Sequence, residues 1–190
     1  MKTIGLCTHF TESDEWAFNY AFKLARRRQL SLNICHWLAS PYTIRRDIVY
    51  ADLFERQETV TVTPEILTKL ELQLREYYEP KLEDLTNAAF KLCEGLYQVE
   101  LIRCFRRHLL DLVVMGYQPP ELDTSAMMVQ PLIRFAQSLP YPLIIVGSDG
   151  PDSFLLNAAA YSLLDQLDLP VGSWQLLEDT LVSWSVLQSD

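Results

Sequence analysis

A chain of 190 residues, 49% of them hydrophobic, has enough apolar material for one buried core and lies near the usual size of a single domain. Its formal net charge of −9 repels phosphate polyanions, so DNA, RNA and anionic membrane surfaces are discounted as partners. No apolar run approaches the roughly 20 residues that cross a bilayer. The four cysteines, Cys7, Cys35, Cys93 and Cys104, have no CxxC spacing, and the chain opens on a strand-like segment instead of a signal peptide. They read as reduced core thiols of a cytoplasmic protein.

Residues 3–8 (TIGLCT) form a short apolar run, followed by a helical pattern through Ala17, Ala21, Leu24, Ala25 and Arg28 with Thr11 or Ser13 as cap. Residues 30–37 (LSLNICHW) are the next strand, so the first 37 residues make a βαβ unit with parallel pairing and a right-handed crossover. Residues 39–63 show no sustained period and form a long excursion that ends at Thr63-Pro64, a cap followed by proline at the first helical position. The helix that follows carries Ile66, Leu70, Leu74 and Tyr77 on one face until Pro80 kinks or ends it.

A third strand covers residues 88–94, and a helix beyond Gly95 has Val99, Ile102 and Phe105 on one side. Residues 110–116 (LDLVVMG) and 142–147 (PLIIVG) are near-continuous apolar runs, as expected of central strands covered on both faces. Between them a helix starts at Gln130-Pro131, with Leu132, Phe135 and Leu139 facing inward. The alternation predicts a Rossmann-like, doubly wound parallel sheet of five strands with helices on both faces over residues 1–150. Any ligand belongs beyond the carboxyl ends of the strands, at the switch point between the first and fourth. Residues 151–190 read as a helical extension. Asp152 is its cap, Leu155, Ala159 and Leu163 beside Leu156, Ala160, Leu164 and Leu167 form its stripes, and a second helix after the break at 169–172 carries Trp174, Leu177, Leu181 and Trp184.

Few residues suggest chemistry. Cys7 and His9 alternate onto one side of the first strand, with Cys35 or His36 nearby, but the pattern has no recognised ligand spacing, and core thiols with a hydrogen-bonded His36 are the expected outcome. No GxSxG elbow is present, Ser148 with His9 and Asp149 makes no arguable triad, and Gly147-Ser148-Asp149-Gly150 lacks the GK[ST] of a phosphate loop. No catalytic residue, metal site or cofactor is assigned. The basic runs Arg26-Arg27-Arg28 and Arg103 with Arg106-Arg107-His108 fall at helix ends, where cations complement the dipole. Tyr42, Tyr50 and Phe54 in the excursion either lid a small ligand or plug the crevice, the plug being favoured because buried aromatics add large packing area.

The element order over about residues 2–146 resembles the universal stress protein family. The resemblance rests on the stretch Asn19-Tyr20-Ala21-Phe22-Lys23-Leu24-Ala25, the Cys93-Glu94-Gly95 turn, Asp111-Leu112-Val113-Val114-Met115-Gly116, and Pro140-Tyr141-Pro142-Leu143-Ile144-Ile145-Val146. One branch of that family binds ATP, marked after the fourth strand by glycine, two residues, glycine, nine residues, then glycine with Ser or Thr. Here Gly116 keeps the first position, Pro119 takes the second, Val129 the third and Gln130 the hydroxyl position. Pro119 has no amide hydrogen, Val129 disfavours positive φ, and Pro131 removes a further N–H at the helix start. His9 stands where the family usually has an aspartate. The resemblance implies a stress-related regulatory or interaction module of the non-ATP type with a vestigial crevice, and an ATP-binding sensor as the competing reading. It also implies a homodimer formed through the last strand. The expected interface is therefore Leu143, Ile144, Ile145 and Val146, with Trp174 and Trp184 of the extension docking on the partner, and the module acts on an unknown protein partner.

Overall fold

The structure, a computed structural model, describes residues 2–8, 10–37, 63–93, 97–116, 136–137, 139–147, 154–167 and 175–176. Its elements in chain order are β1 (Thr3–Thr8), α1 (Glu12–Arg28), β2 (Ser31–Trp37), α2 (Pro64–Tyr78) with a 3-10 turn Glu79–Lys81, β3 (Ala88–Cys93), α3 (Tyr97–Arg106), β4 (Leu112–Gly116), β5 (Leu143–Val146), β6 (Phe154–Leu156), α4 (Ala158–Gln166) and β7 (Gln175–Leu176). The sheet runs β3-β2-β1-β4-β5-β6-β7. The first five strands are parallel, as expected of the alternating pattern.

Side-chain alternation divides the core between the two faces. Ile4, Leu6, Leu32, Ile34, Leu112, Val114, Ile144 and Val146 point to one face and meet α1, α2 and α4. Cys7, Cys35, Val113, Leu143 and Ile145 point to the other and meet Leu101, Cys104 and Phe105 of α3 together with Ala136 and Leu139. This is a doubly wound α/β sheet. Among the described residues no helix is long and apolar enough to cross a membrane.

The caps follow the sequence. Thr11 caps α1 in a capping box with Asp14, and Thr63 caps α2 with Pro64 at its first position. Two helix faces differ from expectation. In α3 the buried positions are Leu101, Cys104 and Phe105, and Val99 is 49% exposed, because the stripe that meets the sheet starts two residues later. In α2 only Leu74 and Tyr78 are buried, and Tyr77 lies half out in solvent.

The sheet has more strands than the five expected. Phe154–Leu156, read from sequence as the start of a helix, is a strand that pairs antiparallel with β5, Ile145 opposite Leu155, and β7 continues the sheet beyond it. The backbone of β5 would otherwise present unpaired N–H and C=O groups, and the apolar triplet meets that need while placing Leu156 on one core face and Leu155 on the other. The helix of this region begins at Asn157, not at Asp152. The described residues 154–156 and 175–176 of the extension thus belong to the sheet, beside the helix α4.

β5 is also not the free edge of the sheet that the expected interface assumed. β5 lies between β4 and β6, and Leu143, Ile144, Ile145 and Val146 are all 1% exposed or less within the one chain, so they form no free edge. Trp174 and Trp184 lie outside the described residues.

Candidate functional site at the carboxyl ends of the central strands

In this strand order the connections diverge between β1 and β4, which makes their carboxyl ends the crevice of the fold. Of the vestigial-crevice residues singled out in sequence, the structure describes Gly116; His9, Pro119, Val129 and Gln130 lie outside the described residues, as do Tyr42, Tyr50 and Phe54.

Gly116 is the last residue of β4, and the first turn of α1 sits directly against it. A β-carbon built at Gly116 would lie 2.5 Å from the Ser13 carbonyl oxygen and 2.6 Å from the Asp14 nitrogen. Both are backbone atoms, so neither can swing away. Close packing of α1 on the sheet thus accounts for this glycine without any phosphate. Gly116→Ala is expected to cost more than about 2 kcal/mol, read as a lower urea midpoint at unchanged slope. An alanine variant as stable as the wild type would show that the contact is soft.

The amino end of α1, a natural anion site in such folds, is filled by the chain itself. The buried Asp14 carboxylate accepts hydrogen bonds from the Thr11 amide at 2.9 Å and the Thr11 hydroxyl at 2.8 Å, while the Asp14 amide donates to Thr11 Oγ1. Glu12 and Glu15 add negative charge to the same turn. An incoming phosphate would meet carboxylates where it needs free amides.

At the end of β1 the chain builds an aromatic cluster. Thr8 is fully buried, its hydroxyl 2.6 Å from the Tyr78 hydroxyl of α2, and it also accepts a hydrogen bond from the Phe10 amide at 3.1 Å. Phe10 has φ of 65°, a left-handed conformation uncommon for a bulky residue, which turns the chain sharply between β1 and α1. Its ring centroid lies 5.0 Å from that of His36, 5.5 Å from Tyr77 and 6.2 Å from Tyr78. His36 is held by a hydrogen bond from Nδ1 to the Thr8 carbonyl at 2.9 Å. Lys81 pairs with Glu15 and places its ammonium 3.7 Å from the centre of the Tyr77 ring, a cation–π contact.

The two tyrosines remain protonated at neutral pH. The Tyr77 hydroxyl is pushed up by its hydrogen bond to Glu15 and by desolvation, and Tyr78 is pushed up chiefly by burial. Beside this cluster is a shallow cavity of about 450 Å³, bordered among the described residues by Phe10, Gln73, Glu76 and Tyr77. Among the described residues no group of three or more His, Cys, Asp or Glu is arranged to hold a metal ion. Sequence reasoning did not single out Phe10, Tyr78 or Thr8. The available signal was the tyrosine pair in the last turn of α2, of which only Tyr77 was placed on the inner face.

No family model and no curated protein matches the chain. Solved structures do. A universal stress protein crystallised in complex with cAMP aligns over 76% of this chain and 96% of its own, at 15% identity and a TM-score of 0.51. A universal stress protein from Lactobacillus plantarum covers the same shares at 13% identity and a TM-score of 0.45. A universal stress protein family protein from Arabidopsis thaliana with AMP bound aligns over 80% of this chain and 99% of its own, at 12% identity and a TM-score of 0.42. The chain has the universal stress protein fold.

Proposed function

We propose that this chain is a universal stress protein that works as a regulatory or interaction module, without catalysis of its own and without an ATP site. The observation that carries the reading is the occupied end of β1. Tyr78 engages the Thr8 hydroxyl, the Phe10 ring packs over His36, and the neighbouring amino end of α1 holds its own Asp14 carboxylate. Pro119, Val129, Gln130 and Pro131 in place of the glycines and hydroxyl of the ATP-binding branch support it from the sequence.

Titration calorimetry with ATP at saturating magnesium is expected to give no dissociation constant below about 10 μM, corresponding to roughly −7 kcal/mol. Tighter binding would overturn the reading. In that case the competing function, an adenine-nucleotide sensor, would stand. It is favoured by the complex with cAMP of the neighbour at a TM-score of 0.51 and by the half-exposed aromatic side chains of Phe10 and Tyr77 that border the cavity.

The module is further proposed to be a cytoplasmic homodimer acting on another protein. Four thiols outside any disulfide suit a reducing compartment, and the charge of −9 disfavours nucleic acid. Because β6 covers β5, the dimer contact is proposed on another surface than the β5 ladder, with Trp174 and Trp184 as the candidates from the sequence.

A further inference from the structure

All four cysteines of the chain converge on one face of the sheet. Cys7 of β1, Cys35 of β2, Cys93 of β3 and Cys104 of α3 belong to a single core cluster, and none is in a disulfide. Cys7 stands directly opposite Cys35 in the β1–β2 register. Cys35 stands opposite Lys91 and Trp37 opposite Cys93, so Cys93 lies on the same face as Cys35, one diagonal step along the β2–β3 ladder.

We propose that Cys93 and Cys35 form a hydroperoxide-responsive dithiol that closes to an intramolecular disulfide across β2 and β3. The two thiols belong to one buried cluster on the same face, on neighbouring strands, and each perturbs the ionisation of the other. The neighbouring Cys35 holds Cys93 below the usual thiol range, against its own burial and with help from Lys91, while Cys93 and burial push Cys35 up. Cys93 is therefore the more acidic of the two and takes the nucleophile's role, and Cys35 that of the resolving thiol. In the reduced state the Cys35 S–H donates to the Asn33 carbonyl at 3.7 Å.

Position selects the same pair. Cys93 is the last residue of β3, and β3 is the edge strand with one paired neighbour among the described residues, so drawing its end toward β2 disturbs a single ladder. Cys7 is in register with Cys35 but lies on β1, held by β2 and β4 together. Cys104 belongs to a helix, and burial keeps its thiol above the usual range and hence protonated.

In the first step the Cys93 thiolate attacks one peroxide oxygen, the O–O bond breaks, and a sulfenic acid forms while hydroxide leaves and takes up a proton as water. In the second step the Cys35 sulfur attacks the Cys93 sulfur, the S–S bond forms and the S–O bond breaks, and the departing hydroxide leaves as water with the Cys35 proton. Both sulfurs are oxidised and the peroxide is reduced to two waters.

The test treats the reduced full-length protein with hydrogen peroxide, blocks remaining thiols with an alkylating agent, and maps the peptides. The proposal expects two of the four thiols to be lost together and a linked pair containing Cys35 and Cys93. Cys93→Ser should slow thiol loss by about tenfold or more, whereas Cys104→Ser should stay within about twofold of the wild type. Cys35→Ser should accumulate a sulfenic acid at Cys93 that dimedone labels, and this readout decides the matter alone if Cys93→Ser does not fold. A Cys7–Cys35 link, loss spread over all four thiols, or no dimedone label on Cys35→Ser would overturn the proposal.

Discussion

Replacing Asn157 by alanine is expected to lower stability by about 3–5 kcal/mol, or roughly 10 °C in Tm for a chain of this size. Its side chain is buried at 4% exposure and joins three pieces of chain. Oδ1 accepts from the Leu143 amide at 3.1 Å, which starts β5, and from the Ala160 amide at 2.9 Å, which caps α4. Nδ2 shares its two hydrogens among the carbonyls of Ala136, Leu139 and Tyr141, at 3.2, 3.2 and 2.8 Å. Those carbonyls lie where Pro140 and Pro142 supply no amide donors, so they depend on a side chain. Alanine leaves two donors and up to three acceptors without partners in the core. Asn157→Asp should be worse at neutral pH, since a carboxylate oxygen would replace the donor and face three carbonyls. Its folded-state pKa would be raised above the unfolded value, so the unfolded state releases the proton first as pH rises. The deficit of the Asp variant should therefore shrink as pH falls from the raised folded-state value to the ordinary carboxylate range, and that of the Ala variant should not. Urea titrations at two pH values read both effects; an Ala variant within about 1 kcal/mol of the wild type would show that water replaces the amide.

Much of the architecture could be read in the sequence because the central strands are covered on both faces. The runs at β1, β2, β4 and β5 are nearly unbroken, and only a parallel sheet between helix layers makes that economical. Thr11 and Thr63-Pro64 announce helix starts through local chemistry that tertiary context did not override. Phe154-Leu155-Leu156 was misread for a definite reason. Three apolar residues fit a helical stripe through Ala160 and Leu163 as well as they fit a strand, and only the free edge of β5 decides between them. Asn157 before three alanines was the cap that would have moved the helix start. Gly116 shows the opposite limit. It was read as a remnant of a phosphate loop, and the structure supplies a packing reason that no motif contains, the backbone of Ser13 and Asp14 pressed against it. The cluster of Phe10, His36, Tyr77 and Tyr78 was not legible because it depends on the last turn of α2 returning to β1, a long-range contact between Tyr78 and Thr8.

Truncation after Gly150 is expected to leave a chain that aggregates or fails to hold its fold. The deletion removes β6, α4 and β7, and with them the buried side chains of Leu155, Leu156, Ala160, Leu163 and Leu164. Four buried leucines at about 2 kcal/mol each come to roughly 8 kcal/mol, within the range of a whole domain's net stability. The loss falls on both faces, since Leu155 belongs to the cluster with Leu143 and Ile145 while Leu156 packs with Ile144 and Val146. It also removes Asn157, so the Leu143 amide and the carbonyls of Ala136, Leu139 and Tyr141 lose their partner in the same step. What remains is a short, apolar strand with one edge open. Such an edge pairs with another chain unless charge, proline or a covering strand blocks it, and β5, Leu-Ile-Ile-Val, carries neither charge nor proline. Here β6 is the covering strand. Light scattering should therefore show the full chain at a fixed, small assembly size and the truncated chain growing with concentration. Leu155→Lys in the full chain should weaken the same edge with the tail still attached, placing a charge opposite Ile145. A truncated protein that remains folded, soluble and of unchanged assembly size would mean that β5 needs no cover and that the tail serves another contact.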